Sequence, residues 1–503
     1  MLQNDYGKAL DMVTQSLYVG QRDIQAQNLK AYILRKLGRT EEAKATIDYV
    51  QSIDPLDYWS TLEKSFIEKG DASVLQSRTK DQTEGLVAVQ EFLEMVNNYL
   101  SVGGTEEAQA LIDQAVALGN PFAASPLVYY YKAYVCLLEG NRGDAGAQLE
   151  KANSLSHINQ YPLRIEEVKM FDTLTAAFAD NAFLHYHYGN LLYYIGQKDH
   201  GLAEWTRSTE LDGTFAVALR NVGFAYGQKG EWQKAMGYYD RAIKANPDDA
   251  LLFTESDKIY ESANVDAAAR LKRLESNIKT VMKHDDAVMR LLSLYNVTGK
   301  YDKAIQIMHN RHFHLWEGGG QIHGIYADSH MLKGMTLLAK KNYQKAIQEF
   351  DLATQYPANL EVAPSYRGGY EAKAYYLAGE AYEGMKQAGK AQEFYQKAAE
   401  AKCPGGLKDL SYYQVKALQK VGKNTEASAA LKKMEENLSR IRQNAVDSYA
   451  KFGDSNKNEQ ESNIAFYSAL IHLLKNEPTE AQSDLRQAIQ LNPGNIWAGF
   501  MSK

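Results

Sequence analysis

The sequence predicts an all-α fold, a solenoid of about eleven stacked helix pairs with padding helices between some of them. Three observations carry this. Proline is scarce, 10 of 503 residues, about 2% against a usual ~5%, and proline breaks helix interiors because it has no N–H to bond back to residue i−4. The same small and aromatic residues recur with a period of 34, which marks stacked repeats over separate globular domains. The chain is 45% apolar and 23% charged, a balance that excludes global disorder. No run of 18 apolar residues occurs, so no membrane span is expected.

The repeat is clearest from Ala216 to Asp249. With Ala216 as position 1, Leu219, Val222, Gly223 and Tyr226 hold positions 4, 7, 8 and 11. Gly230, Ala235, Tyr239, Ala242 and Pro247 hold positions 15, 20, 24, 27 and 32. The spacing has a physical sense. Gly223 and Ala235 fall where two antiparallel helices cross, so small side chains admit close approach. Tyr226 and Tyr239 fill the space beside them, and Pro247 stops the second helix. The pattern resembles the tetratricopeptide repeat, a resemblance that implies a right-handed α-α superhelix.

Further units follow in chain order. Ala31, Gly38, Ala43, Ile47 and Pro55 mark 24–57, and Val96, Tyr99, Gly103, Ala108, Ile112 and Ala115 mark 89–122. Ala133, Gly140, Ala145, Leu149 and Ala152 mark 126–159, and Gly189, Trp205 and Gly213 mark 182–215. Tyr260 and Ala269 mark a unit from 250; Leu292, Tyr295, Gly299, Ala304 and Met308 mark one from 285. Gly334, Ala346, Phe350 and Ala353 give 327–360, and Gly379, Tyr382, Ala391, Tyr395 and Ala398 give 372–405. Gly422, Ala427 and Leu431 give 408–441, while Ala469, Ala481, Leu485, Ala488 and Pro493 give 462–495. Helical padding is expected at 58–88, 160–181 and 442–461, the last interrupted by a loop at Gly453-Asp454-Ser455-Asn456. The expected organisation is 1–181 as N-terminal repeats, 182–318 as central repeats and 319–503 as C-terminal repeats continuous with them. The chain begins in mid-repeat: Tyr6-Gly7-Lys8-Ala9 and Val13 read as the second helix of a pair, so a fragment of a longer protein is expected.

Composition narrows the chemistry. With 56 basic against 62 acidic residues the net charge is −6, which argues against a nucleic-acid partner. Cys136 and Cys403 stand far apart and form no C-x-x-C, excluding a disulfide scaffold and a thiolate zinc site. Tyrosine is abundant, 34 residues against 15 Phe and 5 Trp.

One segment departs from the repeat, from His309 to His323, which with His330 holds five of the eleven histidines. Gly318-Gly319-Gly320 cannot be helix interior, so a loop is expected. Three readings stand. His312 and His314, joined by His309, His323 or Glu317, could ligate zinc or iron. Alternatively, His312, His314, Trp316, Glu317 and His323 form a docking loop with Trp316 as apolar anchor. In the third reading Trp316 plugs a gap between helix pairs. No metal or other cofactor is expected on balance.

This segment carries a second resemblance. HFHLWEGGG, then Tyr326-Ala327-Asp328-Ser329-His330, then Tyr356-Pro357-Ala358-Asn359-Leu360-Glu361 resemble a bacterial family that joins a mutarotase-like β-sandwich domain of unknown function to a C-terminal tetratricopeptide array. Gly320 and Gln321 replace the acidic residue and glycine usual after W-E-G-G in that family. The resemblance covers roughly 285–405. It implies a β-sandwich upstream and some connection to sugars or glycans.

Other motifs yield no chemistry. The glycine triplet lacks the Lys-Ser/Thr of a phosphate loop, and no G-x-S-x-G or zincin signature occurs. His185 and His187 lie at i and i+2 of a helix and do not face one another. Asp248-Asp249 and Asp285-Asp286 read as helix N-caps. In tetratricopeptide arrays the first helices line the concave face, commonly through positions 2, 5, 9 and 12. Here these give Phe183, Tyr186, Asn190 and Tyr193, then Val217, Arg220 and Phe224, then Lys373, Tyr376, Glu380 and Glu383. Tyr186, Asn190, Tyr193, Arg220, Phe224 and Tyr376 are the candidate groove residues, aromatic area with amides to hold a peptide backbone. A chaperone-tail carboxylate clamp is excluded, because Leu251 and Glu255 stand where its cations belong. The expected function is a non-catalytic protein-interaction scaffold that binds a peptide or a neighbouring domain. The alternative is an accessory helical region of a carbohydrate-related protein, docking an upstream domain through the Trp316 loop.

Overall fold

The structure, a computed structural model, describes residues 5–70, 85–314, 321–365, 368–403, 409–452 and 457–502. Among the described residues there are 27 α-helices and no strand, so the fold is all-α. The chain divides into two compact units, Met1–Ala218 and Leu219–Lys503.

In the first unit each predicted repeat is a helix pair. Ile24–Lys36 pairs with Thr40–Ile53, Gly85–Ser101 with Thr105–Leu118, Pro126–Leu138 with Arg142–Asn153, and Ala182–Tyr194 with Lys198–Leu211. Padding supplies Tyr58–Glu68 and Glu167–Ala177, and Tyr6–Val19 precedes the first pair. One core runs through these elements and includes Tyr32, Tyr99, Tyr130, Tyr131 and Phe171, all fully buried. Buried phenols need polar partners. Tyr99 donates to Glu63 (2.8 Å) and Tyr131 to Glu167 (2.9 Å), both carboxylates coming from the padding helices.

In the second unit Trp232–Ala245 follows residues 219–228 of the helix Ala216–Gln228, and Ala250–Ser262 pairs with Ala267–Ser276. Asp285–Val297 pairs with Tyr301–His309, Gln321–Ala339 with Tyr343–Leu352, and Glu371–Gly384 with Ala388–Glu400. Leu410–Lys420 pairs with Asn424–Phe452, and Lys457–Leu474 with Pro478–Leu491, before a last short helix, Ile496–Met501.

The 34-residue spacing reads out as packing. The position-8 glycine lies under the position-24 aromatic of its own pair. A Cβ on Gly223 would fall 2.9 Å from Tyr239 and 3.3 Å from the Ala235 carbonyl. Gly334 and Phe350 (2.5 Å) and Gly379 and Tyr395 (2.6 Å) repeat the arrangement, and in the first unit Gly189 meets Trp205. Ala235 and Tyr239 are fully buried, whereas Tyr226 stays half-buried and stacks on Tyr238 with ring centroids 5.7 Å apart.

Two boundaries differ from expectation. The segment expected as loop through His323 is already helix from Gln321, because Ile322, Tyr326 and His330 make a buried i, i+4, i+8 stripe. The second helix of the 408 pair runs on to Phe452, past the expected end at 441, since no Gly or Pro interrupts Asn424–Phe452. The expected loop at Gly453-Asp454-Ser455-Asn456 lies outside the described residues.

Candidate functional site

The first helices of the C-terminal pairs carry a stripe of alternating charge. Position 2 of three consecutive repeats is Asp328, Lys373 and Asp409. Lys373, wholly buried, sits 2.5 Å from Asp409. Burial of the ammonium pulls its pKa below the usual lysine value, while the charges of Asp409 and Asp328 oppose that shift. The last helix, Ile496–Met501, contributes a half-buried indole to this place. Its Trp497 ring lies over Lys373, Nζ 2.8 Å from the ring centroid, a cation–π contact strengthened by desolvation. Tyr413 flanks the same ammonium at 5.3 Å.

The last helix is held at its N-terminal end. Asn495 caps it, accepting from the Ala498 N–H (3.1 Å) and donating to Ser462 Oγ (3.0 Å). Gly494 passes so close to the helix Ala250–Ser262 that a Cβ there would lie 2.6 Å from Glu261. Glu261 belongs to an ionic network with Asp257, Arg270 and Arg290: Arg290 donates to Asp257 (2.7 Å) and Glu261 (2.6 Å), and Arg270 to Asp257 (2.7 Å). A cavity of about 30 Å³ between Gly494 and this network has room for a water molecule. The neighbouring position-5 and position-9 residues are polar and aromatic. Lys416 lies 4.6 Å over Tyr376 and 5.5 Å over Tyr412, with Glu380 3.8 Å away. Burial pulls the Lys416 pKa down as well.

The expected groove residues fare unequally. Tyr186 is 2% exposed and packs edge-on to His187 and Phe215, and Tyr376 is 1% exposed among Tyr395 and Tyr413. Both are part of the packing. Asn190 accepts from Trp205 Nε1 (2.9 Å), and Tyr193 stacks on the same indole at 4.7 Å. Arg220 is engaged by Glu255 (2.7 Å) and lies 5.9 Å over Phe224, which is 36% exposed. Sequence reasoning missed Trp497 and the Asp328–Lys373–Asp409 stripe. The stripe was visible in the position-2 register; Trp497 was not, because its partner lies more than 120 residues earlier.

The histidines separate. His187 lies in the first unit, fully buried, with Nε2 2.9 Å from His157 Nδ1. His185 points elsewhere, to Glu204 at 2.6 Å, in keeping with the i, i+2 argument. His323 is only 6% exposed and stacks on Tyr356 at 3.8 Å from within its helix, so it is no loop residue. His312 and His314 are exposed, and the carboxylate beside them is Glu361, 2.6 Å from His312 and 3.7 Å from His314. Trp316 and Glu317 lie outside the described residues. Asp249 caps its helix as expected (2.9 Å to the Leu251 N–H). At the 285 helix His284 takes the capping role, which leaves Asp285 to bind Arg311.

Comparison with solved structures returns helical-repeat proteins at low identity. YrrB, described as a TPR protein with an unusual peptide-binding site, is 17% identical over 46% of this chain and 92% of its own, with a TM-score of 0.26. A tetratricopeptide repeat protein from Parabacteroides merdae is 13% identical over 58% of this chain and 98% of its own, TM-score 0.26. Human IFIT1, as a dimer with m7Gppp-AAAA, is 13% identical over 97% of this chain and 95% of its own, TM-score 0.29. At such identities and scores none of these likenesses bears on ligand or partner. The tetratricopeptide family models match residues 216–249, 24–55, 327–359 and 372–402. The chain thus carries tetratricopeptide repeats, four of the eleven helix pairs among the described residues being matched directly by the family.

Proposed function

We propose that this chain is a non-catalytic protein-interaction scaffold whose first-helix faces in the second unit receive a short helical peptide with an aromatic anchor. The observation that carries this is the seat of Trp497 on Lys373. A segment of six helical residues, too short to be stable alone, is held there by one half-buried aromatic, one cap and a stripe of matched charge. Those are features of an interface anchor: a rigid aromatic set against a desolvated cation and rimmed by polar groups. The presence of tetratricopeptide repeats supports the same reading.

The test uses the chain's own segment as probe. A fluorescein-labelled peptide of residues 491–503 is titrated into the full chain and into the Trp497→Ala variant, with binding followed by fluorescence polarisation. The variant, its seat vacated, is expected to bind the peptide more tightly than the wild type, and a peptide with Ala for Trp is expected to bind neither. Equal weak binding by both chains would defeat the proposal.

A further inference from the structure

The two segments that carried the second sequence resemblance touch. Asn359 Nδ2 donates to two carbonyls of the earlier segment, Met308 (2.7 Å) and Arg311 (2.8 Å), and the Phe313 N–H donates to the Asn359 carbonyl (2.9 Å). Arg311 is fixed in turn by Asp285 (2.6 Å), whose other oxygen accepts from the His314 N–H (3.0 Å). Phe313 and Leu360 point into the core at 0% and 1% exposure. Extended backbone alternates its side chains, so burying Phe313 throws His312 and His314 outward together. Glu361, at a left-handed φ of +51°, brings its carboxylate to the same spot. One ligand atom from each of the three lies within 4.8 Å of the others, and no other three His, Cys, Asp or Glu side chains among the described residues converge in this way.

We propose that His312, His314 and Glu361 form a binding site for a divalent transition-metal ion of the zinc class. Two imidazoles and one carboxylate are a borderline donor set that suits Zn²⁺ and its neighbours and not Mg²⁺ or Ca²⁺. Bonds of about 2.0–2.1 Å to a tetrahedral ion place ligand atoms roughly 3.3 Å apart, so the present spread of 4.8 Å closes by small side-chain rotations on a fixed backbone. Exposure leaves the fourth position to water. The bound ion would cross-link the segment after Tyr301–His309 to the segment after Tyr343–Leu352, adding a non-covalent staple between successive helix pairs.

The experiment uses untagged full-length chain stripped with chelator, titrated with Zn²⁺ by calorimetry and with Co²⁺ by visible absorption. The expected result is one ion per chain, a tetrahedral cobalt spectrum displaced by Zn²⁺, and a Zn²⁺-dependent rise in Tm. All three are expected to vanish in His312→Ala/His314→Ala and to persist in His309→Ala, an exposed neighbour outside the triad. No stoichiometric uptake by the wild type overturns the proposal. So does uptake unchanged in the double variant, or lost equally in His309→Ala with circular dichroism unaltered.

Discussion

Two histidine pairs, one in each unit, show what burial does to the same side chain. His157 and His187 meet at 2.9 Å inside the first unit, His157 stacked on Phe183 at 4.0 Å and His187 edge-on to Tyr130 at 5.3 Å. Desolvation pulls the pKa of His157 down to about 4, and burial with the charge of its neighbour holds His187 well below its ordinary value. His312 and His314, 52% and 79% exposed at the side chain, share a carboxylate at the surface. The buried pair serves as packing that must stay neutral. The exposed pair stands in solvent around that carboxylate. Position in the fold, not residue type, sets the role.

The largest way to break the contrast is His187→Ala, which removes a fully buried ring. We expect a loss of about 3 kcal/mol, read as a lower urea midpoint. Acid is the second lever. Because the folded-state pKa of His157 is lowered from 6.5 to about 4, the unfolded chain binds more protons between those values. Stability is full above the unfolded value and falls as the pH drops toward 4. Between pH 7 and pH 5 the loss should be on the order of 2 kcal/mol, measured by urea denaturation at each pH; a flat profile would contradict the buried-neutral assignment. A packing control outside both pairs, Gly379→Ala, places a methyl 2.6 Å from Tyr395 and should cost about 1–3 kcal/mol without changing the pH slope. The smallest effect belongs to the exposed pair. His312→Ala/His314→Ala in metal-free buffer should shift stability by less than about 1 kcal/mol and leave the acid slope in place.

Much of the fold was legible in the sequence. The position-8 glycines and position-24 aromatics located the crossings of Gly223 with Tyr239 and Gly379 with Tyr395, because steric fit at a helix crossing admits few residues. The boundary at Gln321 was misplaced for a local reason: the glycine triplet drew the loop too far, although Ile322, Tyr326 and His330 already kept helical period. The candidate sites were less legible. Tyr186 and Tyr376 occupy positions that line a groove in the repeat pattern, yet both are swallowed by neighbouring rings, since a tyrosine-rich chain can satisfy an aromatic from within.

By itself, then, the sequence determined the all-α class, the period and the pairs, because these depend on backbone propensity and on contacts within some 34 residues. Only the tertiary structure decided that Trp497 would cover Lys373, that His187 would meet His157, and that Glu361, 49 positions from His312, would supply the third ligand atom. Those partners are chosen by how successive pairs stack, and stacking geometry leaves no fixed spacing along the chain for a reader to count.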